Sequence, residues 1–588
     1  MTQGSTRQTF RFGHFELDVS TYELRRHGRR VRLERKPMDL LILLVARRGE
    51  LVSRTEIVER LWRRNAFLDV DTGINTAIRK IRRALNDSAG DPSFIETATG
   101  RGYRFMANVE VVHRTDADTS IVRLAVLPFA NLSSDPDLEH VADGLTDDMI
   151  AALSPLFPER LRVIGRTSAM AYKRTRKSLA AIGRELNVQF LVDGSVRSEG
   201  RLLRIRCALN HVFDQVQLWS QSHDRDLSSL LDVQHDLSFA IADQIRLQLP
   251  TERMGSVGRR HTRDAAAYDL YLRGRRFWNQ LTPASTRMAI EYYTRATDID
   301  PGYALAWAGL AEAFAAGPIN GDADPCVMWP RARTAAEHAV QANPRLSEAQ
   351  HVSGQVLWFF AWDFPAADAA FRKAVDLDPN NAWAHSMLGH ALSQLGRHEE
   401  ARTVMDRACA LEPLSPLHHA MASQVAFQAR DIMTAAERAR RAIAIDPEFW
   451  VGHMMRGQAC EQLGETDFAL DALGTAARFS GANSKPVALR GYLLAKIGQV
   501  TAGREVLEML EDASLNRYVP PYAIALISLG LRDDEKVFEW LERAYAARDV
   551  HLVFLPVDPK WDRLRAEPRF GGLLERCGFG SVACRHLR

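Results

Sequence analysis

From Ile74 the apolar and small positions run Ile74, Ala77, Ile78, Ile81 and Leu85. This i, i+3, i+4, i+7 spacing predicts a helix with one buried stripe. Its other face carries Asn75, Thr76, Arg79, Lys80, Arg82 and Arg83. Side chains three and four apart share a face, so Asn75, Arg79, Arg82 and Arg83 form a cationic edge that fits a DNA major groove. Downstream, Ile95 to Thr99 and Tyr103 to Met106 read as two strands around Gly100-Arg101-Gly102. Glycine there permits the positive φ of a tight hairpin tip, with Arg101 at its end. Taken alone, a basic helix face is most simply a solvated one.

Its neighbours change that reading. Ser53-Arg54-Thr55-Glu56 is a capping box opening a helix whose Ile57, Val58, Leu61 and Trp62 form the apolar stripe. Before it, Pro37 suits a first helical turn, Leu40, Leu41, Leu44 and Val45 follow at helical spacing, and Gly49 ends the segment. Upstream, Phe10 to Val19, Tyr22 to Arg26 and Arg29 to Leu33 alternate like short strands around a turn at His27-Gly28. Three helices, the third basic, followed by a hairpin make a winged helix-turn-helix.

Residues 10 to 108 resemble the OmpR/PhoB-type winged-helix domain. The likeness is carried by Ile78-Arg-Lys-Ile-Arg-Arg-Ala-Leu85 as recognition helix and Ile95-Glu-Thr-Ala-Thr-Gly-Arg-Gly-Tyr-Arg-Phe105 as wing. It implies that the third helix enters the major groove of double-stranded DNA and the wing reaches the adjacent minor groove. Arg79, Lys80, Arg82 and Arg83 are then expected on phosphates and base edges, with Thr76 and Ala77 near bases and Thr97, Thr99 and Arg101 on the wing. Where the family commonly has an arginine just before the first wing glycine, this chain has Thr99, which shifts the expected minor-groove contact to Arg101. The family's loop between second and third helices often contacts RNA polymerase, which implies that partner for Arg63 to Val70.

Charge locates the same function. Residues 1 to 114 hold 22 Lys/Arg against 14 Asp/Glu, a net of +8; the whole chain is +3, so the remainder is −5. One domain is suited to a polyanion and the rest is not. At 588 residues, 46% hydrophobic and 25% charged, the chain is of ordinary globular composition with room for several domains. No uncharged apolar run reaches about 18 residues and no signal-peptide core opens the chain, so a cytoplasmic protein without membrane contact is expected. The six cysteines are scattered without a CxxC pair, which argues for reduced thiols. Cys577, Cys584 and His586 are their only local cluster, and no metal or other cofactor is expected.

The C-terminal half carries a ruler. Pro301, Pro344, Pro379, Pro413 and Pro447 are spaced by 43, 35, 34 and 34 residues. Five before each stands alanine (Ala296, Ala339, Ala374, Ala408, Ala442), and twelve before each another (Ala289, Ala332, Ala367, Ala401, Ala435). Ten after each stands a small residue: Ala311, Gly354, Gly389, Ser423, Gly457. Small residues in fixed columns are what closely packed antiparallel helices need at their crossings. This pattern resembles the tetratricopeptide repeat over Ala265 to Arg548. A further unit fits with Gly481 in the proline column, and Tyr522 to Arg548 reads as a last helix pair with Trp540, Leu541, Ala544 and Tyr545 in its stripe. The 43-residue interval implies an insertion near Gly317 to Pro325. Stacked pairs predict a superhelix whose concave groove holds a protein or peptide, while Trp307, Trp358, Trp362, Trp383 and Trp450 are read as packing residues.

Between the two halves the element types alternate. Val122 to Leu127, Leu161 to Ile164, Phe190 to Val196, Leu202 to Val212 and Val216 to Ser222 read as strands, and Leu138 to Leu153, Leu179 to Leu186 and Leu227 to Leu249 as helices. Leu124-Ala-Val-Leu-Pro-Phe129 with Asp143-Gly-Leu-Thr-Asp-Asp148 resembles the N-terminal domain of TolB, which implies sensing or assembly and no reaction. Asp143, Asp147 and Asp148 read as capping carboxylates at a helix start. No P-loop, Rossmann fingerprint, nucleophile elbow or kinase signature occurs, so no enzyme is expected. No receiver-like segment precedes the DNA-binding region, which argues against phosphorelay control.

The expected architecture is therefore multidomain: a winged helix-turn-helix (α+β) at 1–114, a small α/β domain at 121–250, a flexible linker at 251–264, an all-α tetratricopeptide superhelix at 265–548, and a C-terminal cap and tail at 549–588. The expected function is a sequence-specific DNA-binding transcriptional regulator, compatible with a homodimer, whose middle and repeat domains sense a signal or bind a partner. The alternative is a signalling scaffold with weak nonspecific DNA contact.

Overall fold

The computed structural model of the chain describes residues 8–580 apart from 19–22, 27–28, 32, 48, 62–69, 89, 91, 108, 114–120, 134, 136–137, 156–159, 200–201, 213, 227–236, 238–239, 242–261, 263 and 281. It divides into two compact units, Met1–Ser120 and Ile121–Arg588.

The first unit opens with β1 (Gln8–Phe12), β2 (Phe15–Asp18), β3 (Glu23–Arg26) and β4 (Arg29–Val31). The expected single strand from Phe10 to Val19 is in fact two, because Gly13 at φ +52° turns the chain and brings Phe12 opposite Phe15. Helix α1 (Arg35–Ala46), β5 (Leu51–Ser53), α2 (Arg54–Leu61) and α3 (Val70–Leu85) follow, then the wing strands β6 (Ile95–Ala98) and β7 (Gly102–Phe105). β8 (Glu110–His113), which the sequence reading missed, returns antiparallel to β1 and completes the sheet β4-β3-β2-β1-β8. Leu40, Leu41, Leu44, Val45, Ile57, Ile74, Ile81 and Ile95 are fully buried in one core. Phe12, Phe15, Phe94 and Phe105 join the N-terminal sheet to the wing through ring pairs 4.9 to 6.0 Å apart.

In the second unit β9 (Val122–Val126), β11 (Leu161–Val163) and β12 (Phe190–Glu199) run parallel, and β13 (Leu202–His211) and β14 (Val216–Asp226) add antiparallel strands, in the order β11-β9-β12-β13-β14. The short β10 (Ala130–Asn131) pairs beside β12. Helices α4 (Glu139–Leu153), α5 (Arg166–Met170) and α6 (Leu179–Leu186) pack around this sheet. Asp143, Asp147 and Asp148 do not open a helix, since α4 starts at Glu139. They are instead engaged sideways: Asp143 by Lys173 at 2.6 Å, Asp147 by Arg166 at 2.5 Å, and Asp148 by the Tyr268 hydroxyl. The expected helix from Leu227 to Leu249 falls largely outside the described residues, though Leu237 and Ile241 within it are fully buried.

The array runs from Ala265–Trp278 to Asp534–Ala546 as eight antiparallel helix pairs among the described residues. Both alanine columns are at 0% exposure throughout, as the close-crossing argument requires. The small column is equally constrained: a Cβ on Gly457 would lie 2.6 Å from Leu473, and one on Gly354 2.6 Å from Phe371. The extra residues of the 43-residue interval, expected near Gly317 to Pro325, lie mostly in helix. Ala304–Asn320 and Pro325–Ala342 are each four residues longer than Ala382–Gln394 and His398–Leu411, and only one residue is added between them. Each proline also leaves a carbonyl that the residue six positions later satisfies. Trp307 Nε1, Gln350 Nε2, His385 Nε2, His419 Nε2 and His453 Nε2 approach Pro301, Pro344, Pro379, Pro413 and Pro447 O at 2.8 to 3.2 Å.

The middle domain and the array are packed together. Asn380 Nδ2 donates to Ser154 O and Leu161 O at 2.9 and 3.1 Å, and Glu412 accepts from the backbone N–H groups of Thr167 and Ser168. The linker reading at Thr251 to Arg263 falls almost wholly outside the described residues. Thr262, described, is buried and donates to Asp300 at 2.6 Å. The superhelix closes on itself: Asp322 accepts from the Ser484 hydroxyl at 2.7 Å and pairs with Arg517, and Asn483 Nδ2 donates to Asn320 O at 3.1 Å.

The segment after the last pair lies along the inner side of the array. Trp561 is fully buried and donates to the Tyr522 hydroxyl at 2.9 Å, Lys560 reaches Gln458 Oε1 at 2.7 Å, and Phe579 stacks on Phe364 at 4.2 Å. That part of the groove, expected to receive a partner, is filled by the chain itself. Cys577 is buried, and Cys584 and His586 lie outside the described residues. Among the described residues no helix is long and apolar enough to cross a membrane.

Candidate nucleic-acid interface

The amphipathic pattern of α3 is realised residue by residue. Ile74, Ala77, Ile78, Ile81 and Leu85 are at most 4% exposed, while Asn75, Arg79, Lys80 and Arg83 are exposed. Ala77, expected near bases, therefore faces the core. Thr76 and Arg82 are half-buried, and Thr97, Thr99 and Arg101 are exposed on the wing.

The helix is fixed to the wing by polar contacts. Asp87, just past the helix end, accepts from the N–H groups of Ser93, Phe94 and Ile95 at 2.7, 3.2 and 2.9 Å. Arg82 donates to Ile95 O at 2.8 Å and to Thr97 Oγ1 at 3.0 Å, with its side chain only 14% exposed. Such a half-buried, charge-assisted set costs about 1–3 kcal/mol to break. Arg82 is thus held as a strut, and its neighbours do the reaching. Lys80 differs: its pair with Glu34 at 2.6 Å is exposed on both sides, and exposed pairs contribute about 0.2–1 kcal/mol. A phosphate can take that ammonium over at little cost.

A second network was missed by the sequence reading. Arg54, the first residue of α2, donates to Asn75 Oδ1 at 3.0 Å and to the Tyr103 hydroxyl at 3.1 Å, and Tyr103 donates to Asn75 at 2.8 Å. Three elements are thereby locked at one end of the cationic edge. Sequence periodicity carries no trace of this triad, because Arg54, Asn75 and Tyr103 meet only through the fold. Arg79, Arg83, Thr97 and Tyr103 line a shallow cleft between helix and wing. Arg79 touches Thr76 at 3.4 Å, and Arg83 and Arg101 form no side-chain hydrogen bond or ion pair among the described residues.

The hairpin tip is dictated by its glycines. Gly100 sits at φ +73°, and a Cβ on Gly102 would lie 2.1 Å from Val52 O, so β7 can pair with β5 only if that residue is glycine. Arg101 O accepts from Arg54 N at 3.3 Å, which turns the Arg101 side chain outward at the tip. The arrangement is an exposed helix edge with arginines beside an arginine-tipped hairpin. Its chemistry is that of phosphate and base-edge contact.

The comparisons agree with this geometry. Residues 28–105 match the family "Transcriptional regulatory protein, C terminal", and residues 363–425 and 421–484 match tetratricopeptide repeat families. Putative adenylate cyclase 3 of Rhizobium meliloti (strain 1021) is 36% identical over 191 residues, spanning 32% of this chain and 32% of that protein's length. The transcriptional regulator HilA of Salmonella typhimurium is 24% identical over 415 residues, 69% of this chain and 70% of its own. Among solved structures, the RstA DNA-binding domain of Klebsiella pneumoniae in complex with RstA box is 28% identical, covering 17% of this chain and 96% of that one, with a TM-score of 0.15. The chain thus carries an OmpR/PhoB-type winged-helix DNA-binding domain at its N-terminal end and a tetratricopeptide array in its C-terminal half, the make-up of a DNA-binding transcriptional regulator.

Proposed function

We propose that the protein works in the cytoplasm by selecting promoters through α3 and the wing, while residues 121–588 receive the signal that sets its activity. The observation that carries this is the exposed ridge of Asn75, Arg79 and Arg83 beside the Arg101 tip, on a helix that Arg82 and Asp87 hold rigid. Their exposure supports Arg79 and Arg83 as the residues that touch bases and phosphates. Lys80, Thr76, Thr97, Thr99 and Arg101 flank them, and Arg82 orients the helix. RNA polymerase is proposed as a partner of residues 63–70, and a homodimer as the form that binds paired half-sites. No reaction is assigned to the chain. Genome-wide footprinting of the full chain tests the reading. A shared sequence at protected sites supports it, and protection without sequence preference would leave the scaffold reading in its place.

A further inference from the structure

One amide on the ridge is held in a single orientation. Asn75 is exposed one turn before Arg79 and two before Arg83, and with Arg54 and Tyr103 it lines the cleft between α3 and the wing. Its Oδ1 accepts from Arg54 Nη2 at 3.0 Å and from the Tyr103 hydroxyl at 2.8 Å. Arg54 Nη2 also donates to the Tyr103 hydroxyl at 3.1 Å, which closes a ring of three hydrogen bonds. A guanidinium only donates, whereas a carboxamide has one end of each kind. Were the Asn75 amide turned over, its NH2 would face the NH2 of Arg54. The oxygen therefore stays with the triad. Nδ2 is left on the ridge, where it makes no hydrogen bond among the described residues.

The triad stands on rigid ground. Arg54 opens α2, and Tyr103 is 3% exposed in β7, which pairs with β5 through Val52–Tyr103 and Ser53–Gly102 just before Arg54. The Arg54 guanidinium also lies over the Tyr103 ring at 5.6 Å. Turning the amide breaks two hydrogen bonds, one of them to a charged group.

The cleft around Asn75 is rich in donors. Arg79 and Arg83 are exposed, and Arg82 Nε is buried without a hydrogen-bond partner. The carboxylate there, Asp87, is occupied by the N–H groups of Ser93, Phe94 and Ile95. Base edges in the major groove differ in what they return. Guanine presents two acceptors, N7 and O6, and thymine one, O4, beside a methyl group; adenine sets an N6 donor beside its N7, and cytosine offers an N4 donor. The bidentate bond of asparagine to adenine needs the amide oxygen as well as the nitrogen. Here the oxygen is taken.

We propose that Asn75 sets a base preference in the recognised sequence, reading guanine through Nδ2 and rejecting adenine, with Arg54 and Tyr103 as positioning residues. The proposal rests on promoter selection by α3 and names the base that one of its residues reads. Selection of bound duplexes from a randomised pool by the full chain tests it, run beside Asn75→Asp, Asn75→Ala and Arg54→Met. Asn75→Asp keeps an oxygen for Arg54 and Tyr103 but turns the outward donor into an acceptor. The expected result is a guanine at one position that becomes cytosine with Asn75→Asp, is lost with Asn75→Ala and admits adenine with Arg54→Met, every other position staying as it was. Exchanging that guanine for adenine is expected to weaken binding of the unaltered chain about 10-fold and of Asn75→Ala by less than about 2-fold. Asn75 is exposed, so its two variants decide the matter even if Arg54→Met fails to fold. A preferred sequence that neither Asn75 variant alters, adenine at the position that responds, or a loss in Asn75→Ala equal on all duplexes would overturn the proposal and leave promoter selection standing. Absence of any preferred sequence would overturn both.

Discussion

Residues 8–113 and residues 121–580 handle polar groups in opposite ways. In the first unit Arg79, Lys80 and Arg83 of α3 point outward, and the polar contacts of Arg82 to Ile95 and of Asp87 to the wing backbone serve to hold a surface in shape. In the second unit one set of polar groups turns inward, with Glu412 and Asn380 binding the middle domain to the array and the chain's own end lying along the groove. A surface that must meet varied DNA sequences keeps its charges solvated until binding, when released counterions drive association. A closed interior instead gains from unique partners and loses heavily when one is removed.

That contrast predicts where substitutions do their damage. The largest effect is expected from Trp561→Ala, which deletes a fully buried side chain and its bond to Tyr522. It is expected to lower the stability of the second unit by about 3–5 kcal/mol in denaturant titration and leave the salt dependence of DNA binding unchanged. Gly102→Ala comes next, because its Cβ meets Val52 O at 2.1 Å and backbone must move. A loss of about 2–4 kcal/mol confined to the first unit, read by hydrogen exchange of the wing strands, is expected. Arg82→Ala is expected to cost about 1–3 kcal/mol of stability, whereas Arg79→Ala stays within about 0.5 kcal/mol. If the two variants melt alike, Arg82 is no strut. The smallest effect belongs to Glu34→Ala. Stability should shift by less than about 1 kcal/mol, while DNA affinity rises slightly because Lys80 is released.

Periodicity made α3, the wing and the repeat columns legible, since each depends on local spacing and on volumes that recur. The strand reading passes over the turn at Gly13, although the alternation of Phe10 and Phe12 slips by one position before it resumes at Phe15 and Leu17. The proline carbonyl caps were invisible for a different reason. One tryptophan, one glutamine and three histidines share only a ring or amide nitrogen at matching reach, so no single residue type marks the whole column. Arg54 and the inner course of residues 549–580 depend on contacts more than 20 positions apart, which no local pattern encodes. Arg82 shows the limit within the site itself: spacing places it on the cationic edge, and only the wing's return reveals that its guanidinium is already engaged.

Promoter selection by the ridge is the central claim, and a specificity ratio tests it most directly. Affinities of the full chain and of Arg79→Ala for a footprinted site and for a scrambled duplex are measured at one salt concentration. The account predicts that Arg79→Ala loses about 1–3 kcal/mol at the footprinted site and much less on the scrambled duplex, so that the ratio collapses by about 10-fold or more. An equal loss on both duplexes, with the ratio unchanged, would contradict it.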